Sequence, residues 1–342
     1  MVPQTYLRSS SIKSFQDCQL RFFADFCLGL KFPSGPSAVS GTIVHEILEY
    51  LAHNQDTADE QIEDVCKEIY QQHIDKVDPS RVPKSSQRKT PEASIKAWIP
   101  YKKVKDSITN VLAMSPRSFD PRKMKVIATE QKYDVELPYP WAKYDFKFRG
   151  KHYQGQLKLK GSIDLIVETD NGIEIIDWKS GRSDDLATGE PKAFEDYADD
   201  IQLALYWMVA RRYLNLDVQH ITIVFMNESA CYSVDFDDDL VMDRIQSIYE
   251  TMKNTARPEK NDSLFCMRYC PFSKNDFTTI TTKPLVKARE YTWTDEETGI
   301  PVNKVYKMCG QLNNYFNSDY TPLQVMEALT RFDHRIEDYV NT

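Results

Sequence analysis

The sequence predicts an α/β fold in which a small mixed sheet is flanked by helices. Residues 156–167 and 173–179 have strand character, and an Asp-Asn-Gly turn signal at 170–172 joins them as an antiparallel hairpin. Residues 200–215 predict a helix, and the apolar residues 220–226 predict a further strand. Strands and helices that follow one another in this way are typical of α/β domains.

The predicted hairpin carries a charged group that suggests chemistry. Asp164 lies on its first strand, and Asp177 and Lys179 lie two residues apart on its second strand, so these two share one side of the sheet. Two carboxylates and an amine suit a divalent cation such as Mg²⁺, with Lys179 placed to orient or deprotonate a water and to neutralise charge on a phosphate. The alternative is a hairpin whose acidic residues only face water. The apolar strand before Asp177 favours the site.

Composition limits the class of protein. The chain has 342 residues, of which 41% are apolar and 27% are charged, as expected of a globular protein with one domain and insertions, or with two domains. We expect a core over residues 1–260, with a basic helical insertion or arm at about 57–120, and a C-terminal extension over residues 261–342. An odd number of cysteines, seven, and the lack of a long apolar run predict a cytoplasmic protein that has no contact with membranes.

Charge is distributed unevenly along the chain. The formal net charge is −8, yet residues 81–160 hold 19 Lys and Arg against 7 Asp and Glu. Within residues 81–105, only Glu92 opposes eight basic residues, and such a segment can attract a phosphate backbone. The candidate nucleic-acid contacts are Arg88, Lys89, Lys102 and Lys103. A solvated basic face is the alternative.

Four short patterns follow one another along the chain. They are G-x-x-x-H-x-x-x-E ending at Glu49, G-x-x-D ending at Asp164, D-x-K ending at Lys179, and Q-x-x-x-Y ending at Tyr206. Together they resemble the motifs of the PD-(D/E)xK nucleases, in the RecB-type branch that includes CRISPR-adaptation nucleases and many phage exonucleases. The resemblance covers roughly residues 9–272. It implies a restriction-endonuclease-like core that carries a helical insertion and a C-terminal extension.

The resemblance also implies roles for individual residues. His45, Asp164 and Asp177 would bind Mg²⁺ or Mn²⁺, and Lys179 would assist the attacking water. Gln202 and Tyr206 would contact DNA and brace the site, and Arg21 would contact a phosphate. Glu130 stands where the family often has an additional acid, although one exposed Glu on a strand is common.

The activity that the resemblance implies is metal-dependent hydrolysis of DNA phosphodiester bonds. An exonuclease that processes DNA ends in recombination or repair is expected, as in phage systems, with a recombination or annealing protein as a possible partner. Two alternatives stay open: a structure-specific endonuclease for DNA or RNA, and a non-catalytic DNA-binding subunit derived from a nuclease. The complete set of His45, Asp164, Asp177 and Lys179 argues against the second alternative.

The cysteines raise the question of a bound cluster. Some RecB-type enzymes hold an iron–sulfur cluster through one cysteine near the N-terminus and three near the C-terminus, and Cys18, Cys266 and Cys270 resemble three of these. The spacing here is C-x3-C instead of C-x2-C, and Cys309 is the only later cysteine. Because a [4Fe–4S] cluster usually needs four thiolates, an iron–sulfur cluster, a zinc ion and free thiols all stay open.

Overall fold

The computed structural model describes residues 4–28, 34–148, 150–184, 189–190, 192–261, 270, 290–294, 301–305 and 321–329. The chain divides into two compact units. The first comprises Met1–Phe32, Asp134–Gly161 and Met242–Thr342, and the second comprises Pro33–Tyr133 and Ser162–Val241. The predicted boundary near residue 260 stays a prediction, because few residues beyond it are described.

Strands and helices are numbered in chain order over the described residues. The strands are β1 (Tyr6–Leu7), β2 (Lys125–Glu136), β3 (Lys143–Phe148), β4 (Lys151–Gln156), β5 (Lys158–Thr169), β6 (Gly172–Lys179), β7 (Val218–Phe225), β8 (Ala230–Val234), β9 (Glu290–Thr294) and β10 (Pro301–Val305). The helices are α1 (Ser9–Asp17), α2 (Gln19–Phe22), α3 (Pro36–His53), α4 (Asp59–Ile74), α5 (Pro91–Trp98), α6 (Tyr101–Leu112), α7 (Phe194–Ala198), α8 (Ile201–Arg212), α9 (Asp238–Asn254) and α10 (Pro322–Leu329).

The second unit contains the sheet that the sequence predicts. β5 and β6 pair antiparallel from Leu165 opposite Ile176 to Thr169 opposite Gly172, so the turn between them has two residues. Gly172 has φ +111°, a conformation that glycine adopts without steric penalty. β6 then pairs parallel with β7, β7 pairs antiparallel with β8, and β2 pairs with β5. The mixed α/β architecture and the hairpin are therefore confirmed.

Helices α3, α4 and α6 pack on one another and against this sheet. Val104, Ile108 and Val111 recur at helical spacing on α6, and all three join a buried cluster with residues of α3 and with Trp178 of β6. The sequence predicts an insertion or arm over this segment, whereas the structure buries one face of it in the core. The reason is the amphipathic pattern of α6, whose lysines occupy the opposite, exposed face.

Helix α8 lies against β6 and β7 and begins at a capped end. The Asp200 side chain accepts hydrogen bonds from the backbone N–H of Gln202 at 2.8 Å and of Leu203 at 3.4 Å, which stabilises the first turn. Nine of its twelve residues are buried. Alternate residues of β6 point to opposite faces of the sheet. Ile176 packs in the core with α3, and Lys179 contacts α8.

The first unit has its own buried residues. β1 pairs parallel with the start of β5, and β3 pairs antiparallel with β4. Phe15 and Phe22 pack edge to face at 5.4 Å, and the buried Tyr249 donates a hydrogen bond to the Gln4 carbonyl at 3.2 Å. Among the residues described above, no helix combines the length and apolar character that crossing a membrane requires.

Two of the four predicted cluster cysteines can be located. The Cys18 Sγ atom lies 4.0 Å from the Glu259 carbonyl oxygen, and Cys270 is buried. Cys266 and Cys309 lie outside the described residues. The choice among an iron–sulfur cluster, a zinc ion and free thiols therefore stays open.

Candidate active site

His45 reaches the sheet from α3 and contacts it through both ring nitrogens. Nε2 lies 3.0 Å from the main-chain carbonyl of Trp178, and because a carbonyl only accepts, Nε2 carries the proton. Nδ1 faces the other way, 3.5 Å from Asp164 Oδ2 and 3.7 Å from Glu130 Oε1. In the neutral ring, Nδ1 thus presents its lone pair toward two carboxylates.

A glycine on α3 lies next to Ser180. Gly41 lies one helical turn before His45, and a Cβ atom at this position would stand 2.7 Å from the Ser180 Oγ atom. Ser180 directly follows Lys179, so a larger residue at 41 would require the Ser180 hydroxyl to move. The glycine of the G-x-x-x-H pattern therefore leaves room for the Ser180 side chain next to α3.

Three side chains from three elements form a group that could bind a cation. The ligand atoms of His45, Glu130 and Asp164 all lie within 4.8 Å of one another. Asp164 is 8% exposed, and its Oδ2 accepts a hydrogen bond from the Trp178 N–H at 3.0 Å. The sequence names Glu130 only as an additional acid, and its sole local signal is a carboxylate on a strand of mixed polar and apolar residues.

Asp177 and Lys179 form a second group beside the first. Asp177 is fully buried, and its Oδ2 lies 2.8 Å from Lys179 Nζ as an ion pair. That contact is not aligned as a hydrogen bond, so both carboxylate oxygens lack a hydrogen-bond donor within the described part of the chain. Asp177 is not one of the three residues whose ligand atoms lie together, so its predicted role as a metal ligand stays a prediction.

Helix α8 holds the lysine in place. Lys179 Nζ donates to Gln202 Oε1 at 2.7 Å, and Gln202 Nε2 donates to the Tyr206 hydroxyl at the same distance. Tyr206 is only 4% exposed. The ring packs among the buried residues of α8, and both of its predicted roles, contact with nucleic acid and bracing of the site, stay predictions.

Burial and mutual repulsion shift the acid–base behaviour of the site. Burial, and then the neighbouring charge of Asp177, raises the pKa of Asp164 to about 7. Burial also raises the pKa of Asp177. Burial alone would lower the pKa values of Lys179 and His45, but the surrounding carboxylates outweigh it and raise both. The carboxylates thus carry an electrostatic cost that a bound cation would relieve.

A comparison with protein families identifies the group to which this site belongs. The family model of the PD-(D/E)XK nuclease superfamily matches residues 9–274, more than half of the chain. The chain belongs to this superfamily. Membership supports a metal-dependent nuclease, and it confirms the superfamily that the four sequence patterns resemble.

Comparisons with individual proteins are less informative than the superfamily match. The solved crystal structure of SSO0001 aligns with 18% sequence identity and a TM-score of 0.27, over 55% of this chain and 76% of that one. At this TM-score the alignment does not establish a shared fold. A search of curated proteins finds no match.

The residues present fit the divalent cation that PD-(D/E)XK nucleases use. An imidazole nitrogen and two carboxylates supply three ligand atoms in one place, and they are of the kinds that bind Mg²⁺ or Mn²⁺. The buried Asp177 carboxylate, which lacks hydrogen-bond donors among the described residues, adds negative charge next to them. A cavity of about 350 Å³ lined by Ala38, Gly41, Thr42, His45 and Glu130 opens onto this group.

The predicted nucleic-acid contacts have different surroundings. Lys102 and Lys103 line a cleft of about 520 Å³ with Asn110 and Asn227. Lys102 pairs with Asp106 at 2.5 Å, and Lys103 Nζ lies 3.4 Å from the Ser37 hydroxyl at the start of α3. The cleft is tied to the active site, because Asn227 Nδ2 donates to the Ser180 carbonyl at 2.5 Å.

Three more of the predicted contacts are Arg88, Lys89 and Arg21. Arg88 is exposed and donates to the Ser85 and Gln87 carbonyls near its own position in the chain, and Lys89 is exposed. Arg21 belongs to the first unit, where its Nε lies 3.4 Å from Asp25 Oδ2. Their contacts with phosphates stay predictions.

Proposed function

We propose that this protein is an exonuclease that hydrolyses phosphodiester bonds at DNA ends with Mg²⁺ or Mn²⁺. The observation that carries the proposal is the convergence of His45, Glu130 and Asp164 next to Lys179, in a chain of the PD-(D/E)XK superfamily. The choice of DNA ends as substrate, and of recombination or repair as the process, is supported by the resemblance of the sequence patterns to RecB-type enzymes.

The side chains of the site have two roles in the proposed hydrolysis: binding the cation and stabilising charge on the phosphate. His45, Glu130 and Asp164 would hold the cation, with Asp177 close by, and a bound divalent cation would act as a Lewis acid toward the phosphate. Lys179 Nζ is ion-paired with Asp177 and donates to Gln202 Oε1. Both neighbours are oxygen acceptors, so this geometry fits a charged ammonium. An N–H that Gln202 does not engage can donate to a phosphate oxygen on which charge develops.

The cleft at Lys102 and Lys103 supports a path for the DNA backbone. Ser37, which Lys103 contacts, lies on the same helix as Thr42 and His45 of the active-site cavity. We infer that phosphates on one side of the cleaved bond lie along this part of α3 and α6. A cytoplasmic location and an annealing or recombination partner complete the proposal, supported by the cysteine content and by the family resemblance.

The test is incubation with end-labelled linear DNA and with closed-circular DNA, in Mg²⁺, in Mn²⁺ and in EDTA. We expect degradation of the linear substrate with either metal and none in EDTA, with the circle left intact. Lys179→Ala should lose turnover but keep most of its DNA affinity, since one ammonium among many basic groups adds little to the electrostatic attraction.

Lys125→Ala is the matched control. Lys125 also lies on a strand of the second unit and pairs with a carboxylate, Glu168 at 2.6 Å, but it is 70% exposed. This variant should behave as the wild type does. Cleavage in EDTA at the same rate as with metal would refute the proposed metal dependence. Rapid cleavage of the closed circle would show that the protein is an endonuclease and not an exonuclease.

A further inference from the structure

Glu130 has an unusual backbone conformation. It lies within β2, yet its φ angle is +45°, in the left-handed region that side chains other than glycine rarely adopt. Such residues persist where the surrounding structure over-determines them, and they concentrate at functional sites. The strained residue here is the one that delivers a carboxylate to His45 and Asp164.

A second strand fixes the end of the same side chain. Ser162 of β5 donates its hydroxyl to Glu130 Oε2 at 2.7 Å. Ser162 and Asp164 are two residues apart on β5, so they point to the same side of the sheet. β5 therefore supplies one proposed ligand itself, Asp164, and orients another, Glu130.

The two carboxylate oxygens of Glu130 have different neighbours. Oε2 is engaged by the Ser162 hydroxyl, and Oε1 faces His45 Nδ1 at 3.7 Å. The hydrogen bond orients the carboxylate so that Oε1, not Oε2, is the oxygen turned toward His45 and best placed to bind a cation. This matters for metal choice, because Ca²⁺ commonly takes both oxygens of one carboxylate and accepts six to eight ligands, whereas Mg²⁺ requires fewer ligands in near-octahedral geometry.

We propose that Ser162 is a positioning residue that favours coordination of a cation by Glu130 through Oε1 alone, and so favours Mg²⁺ and Mn²⁺ over Ca²⁺. The proposal rests on the proposed function to the extent that it assumes a divalent cation at this site. It assigns Ser162 no contact with substrate or metal, since the hydroxyl acts through Glu130.

The experiment measures Mn²⁺ and Ca²⁺ binding by calorimetry, without DNA, on the full chain. Ser162→Ala should weaken Mn²⁺ binding by about 10- to 100-fold, the usual effect of removing a hydrogen-bond partner of a ligand. It should weaken Ca²⁺ binding less, so that the preference for Mn²⁺ falls by about 10-fold. Ser162→Thr retains a hydroxyl and should keep most of the wild-type preference.

Two controls separate positioning from a general loss of structure. Thr129→Val removes the hydroxyl that donates to the Asp164 carbonyl at 3.2 Å, between the same two strands, and should leave metal binding unchanged. In a Glu130→Ala background, Ser162→Ala should have no further effect on either metal, because the side chain through which it acts is gone. An equal additional loss of affinity in that background would overturn the proposal.

The backbone strain gives an independent readout. Without metal, Glu130→Gly should melt at a higher temperature than Glu130→Ala, because glycine adopts the positive φ without steric penalty. A lower or equal melting temperature would contradict the strained backbone conformation of Glu130.

The outcomes distinguish this proposal from the proposed function. If the wild type binds Mn²⁺ and cleaves DNA while Ser162→Ala keeps the wild-type affinities, only the positioning role fails. If Mn²⁺ binding responds to Ser162→Ala as expected but DNA is not cleaved, only the nuclease function fails. A wild-type protein that binds no Mn²⁺ would overturn both.

Discussion

His45 and Trp178 are joined by a hydrogen bond in which the imidazole Nε2 donates to the main-chain carbonyl at 3.0 Å. The N–H of the same residue, Trp178, donates to Asp164. The main chain of one residue of β6 therefore orients two of the three proposed metal ligands, and it fixes the ring so that Nδ1 is the nitrogen available to a cation.

The first prediction concerns His45. His45→Ala should lower Mn²⁺ affinity by more than the about 10- to 100-fold that is typical for loss of an outer hydrogen-bond partner, because a ligand itself is removed. Calorimetric titration with Mn²⁺ measures this. His53→Ala is the matched control, since His53 lies on the same helix and its Nδ1 contacts the Glu49 carbonyl at 3.1 Å. An equal fall in affinity in both variants would contradict the assignment.

The second prediction concerns the hydrogen bond between Gln202 and Lys179. Gln202→Ala should reduce kcat by about 10-fold or more, since a misplaced ammonium stabilises the developing charge less well. KM for DNA should change little. Tyr206→Phe, which removes only the hydroxyl that accepts from Gln202, should have a smaller effect in the same direction. A rise in KM with kcat unchanged would instead make Gln202 a DNA contact.

The third prediction concerns pH and the metal-free protein. The pKa of Asp164 is raised to about 7 in the folded state, above the value of about 4 for Asp in an unfolded chain. The stability that this group contributes is therefore fully present below about pH 4 and lost as the pH rises through about 7.

In EDTA, the melting temperature should fall between about pH 4 and about pH 7, with each unit of pKa shift corresponding to about 1.4 kcal/mol. Asp164→Asn, which cannot titrate, should flatten that fall. Thermal melts of both proteins across this range provide the measurement. The same slope in wild type and variant would show that other groups control the dependence.

The fourth prediction concerns Asp177. Its buried carboxylate repels Asp164 and has no directed hydrogen-bond donor among the described residues, so Asp177→Asn should leave the metal-free protein as stable as the wild type or slightly more stable. Mn²⁺ at a hundredfold excess over Kd should stabilise the wild type by about 2.7 kcal/mol, and the variant by much less. Strong destabilisation without metal, together with a wild-type response to Mn²⁺, would identify Asp177 as a structural acid.

The fifth prediction concerns the cleft at α6. Replacing Lys102 and Lys103 with alanine should weaken DNA binding and make the binding constant less sensitive to salt, with the slope reduced by about 0.9 for each phosphate that a lysine no longer neutralises. Binding titrations over a range of salt concentrations measure the slope. Lys67→Ala is the control, because this exposed lysine pairs with Glu63 on α4. An unchanged slope in the double variant would show that the cleft is a solvated basic face.

The part of the site on the hairpin could be predicted because its signals are local. A two-residue turn and the alternation of β5 and β6 place Asp164, Asp177 and Lys179 near one another without knowledge of the rest of the chain. The role of Glu130 could not be predicted in this way. It depends on the pairing of β2 with β5 and on one left-handed residue, and neither has a sequence signature within β2.

The burial of the helices around the site also could not be predicted from local sequence signals. The spacing of Val104, Ile108 and Val111 is visible in the sequence, but prolines on either side of the segment favour an exposed arm. Only the packing of α6 on α3 shows that the segment is part of the core. Tyr206 is a similar case. Its position one turn after Gln202 is evident, whereas its burial follows from the apolar surroundings of the whole of α8.

The two hydrogen bonds of Trp178 to the site are made by its main chain and not by its side chain. Its N–H and carbonyl groups are present whatever side chain residue 178 carries, so no substitution other than proline can delete the hydrogen bonds that orient His45 and Asp164 while the strand is kept. The Trp178 side chain points instead into the core, 6.4 Å from the Phe119 ring. A variant with another large apolar residue at position 178 should therefore keep both hydrogen bonds and the ligand geometry that they impose.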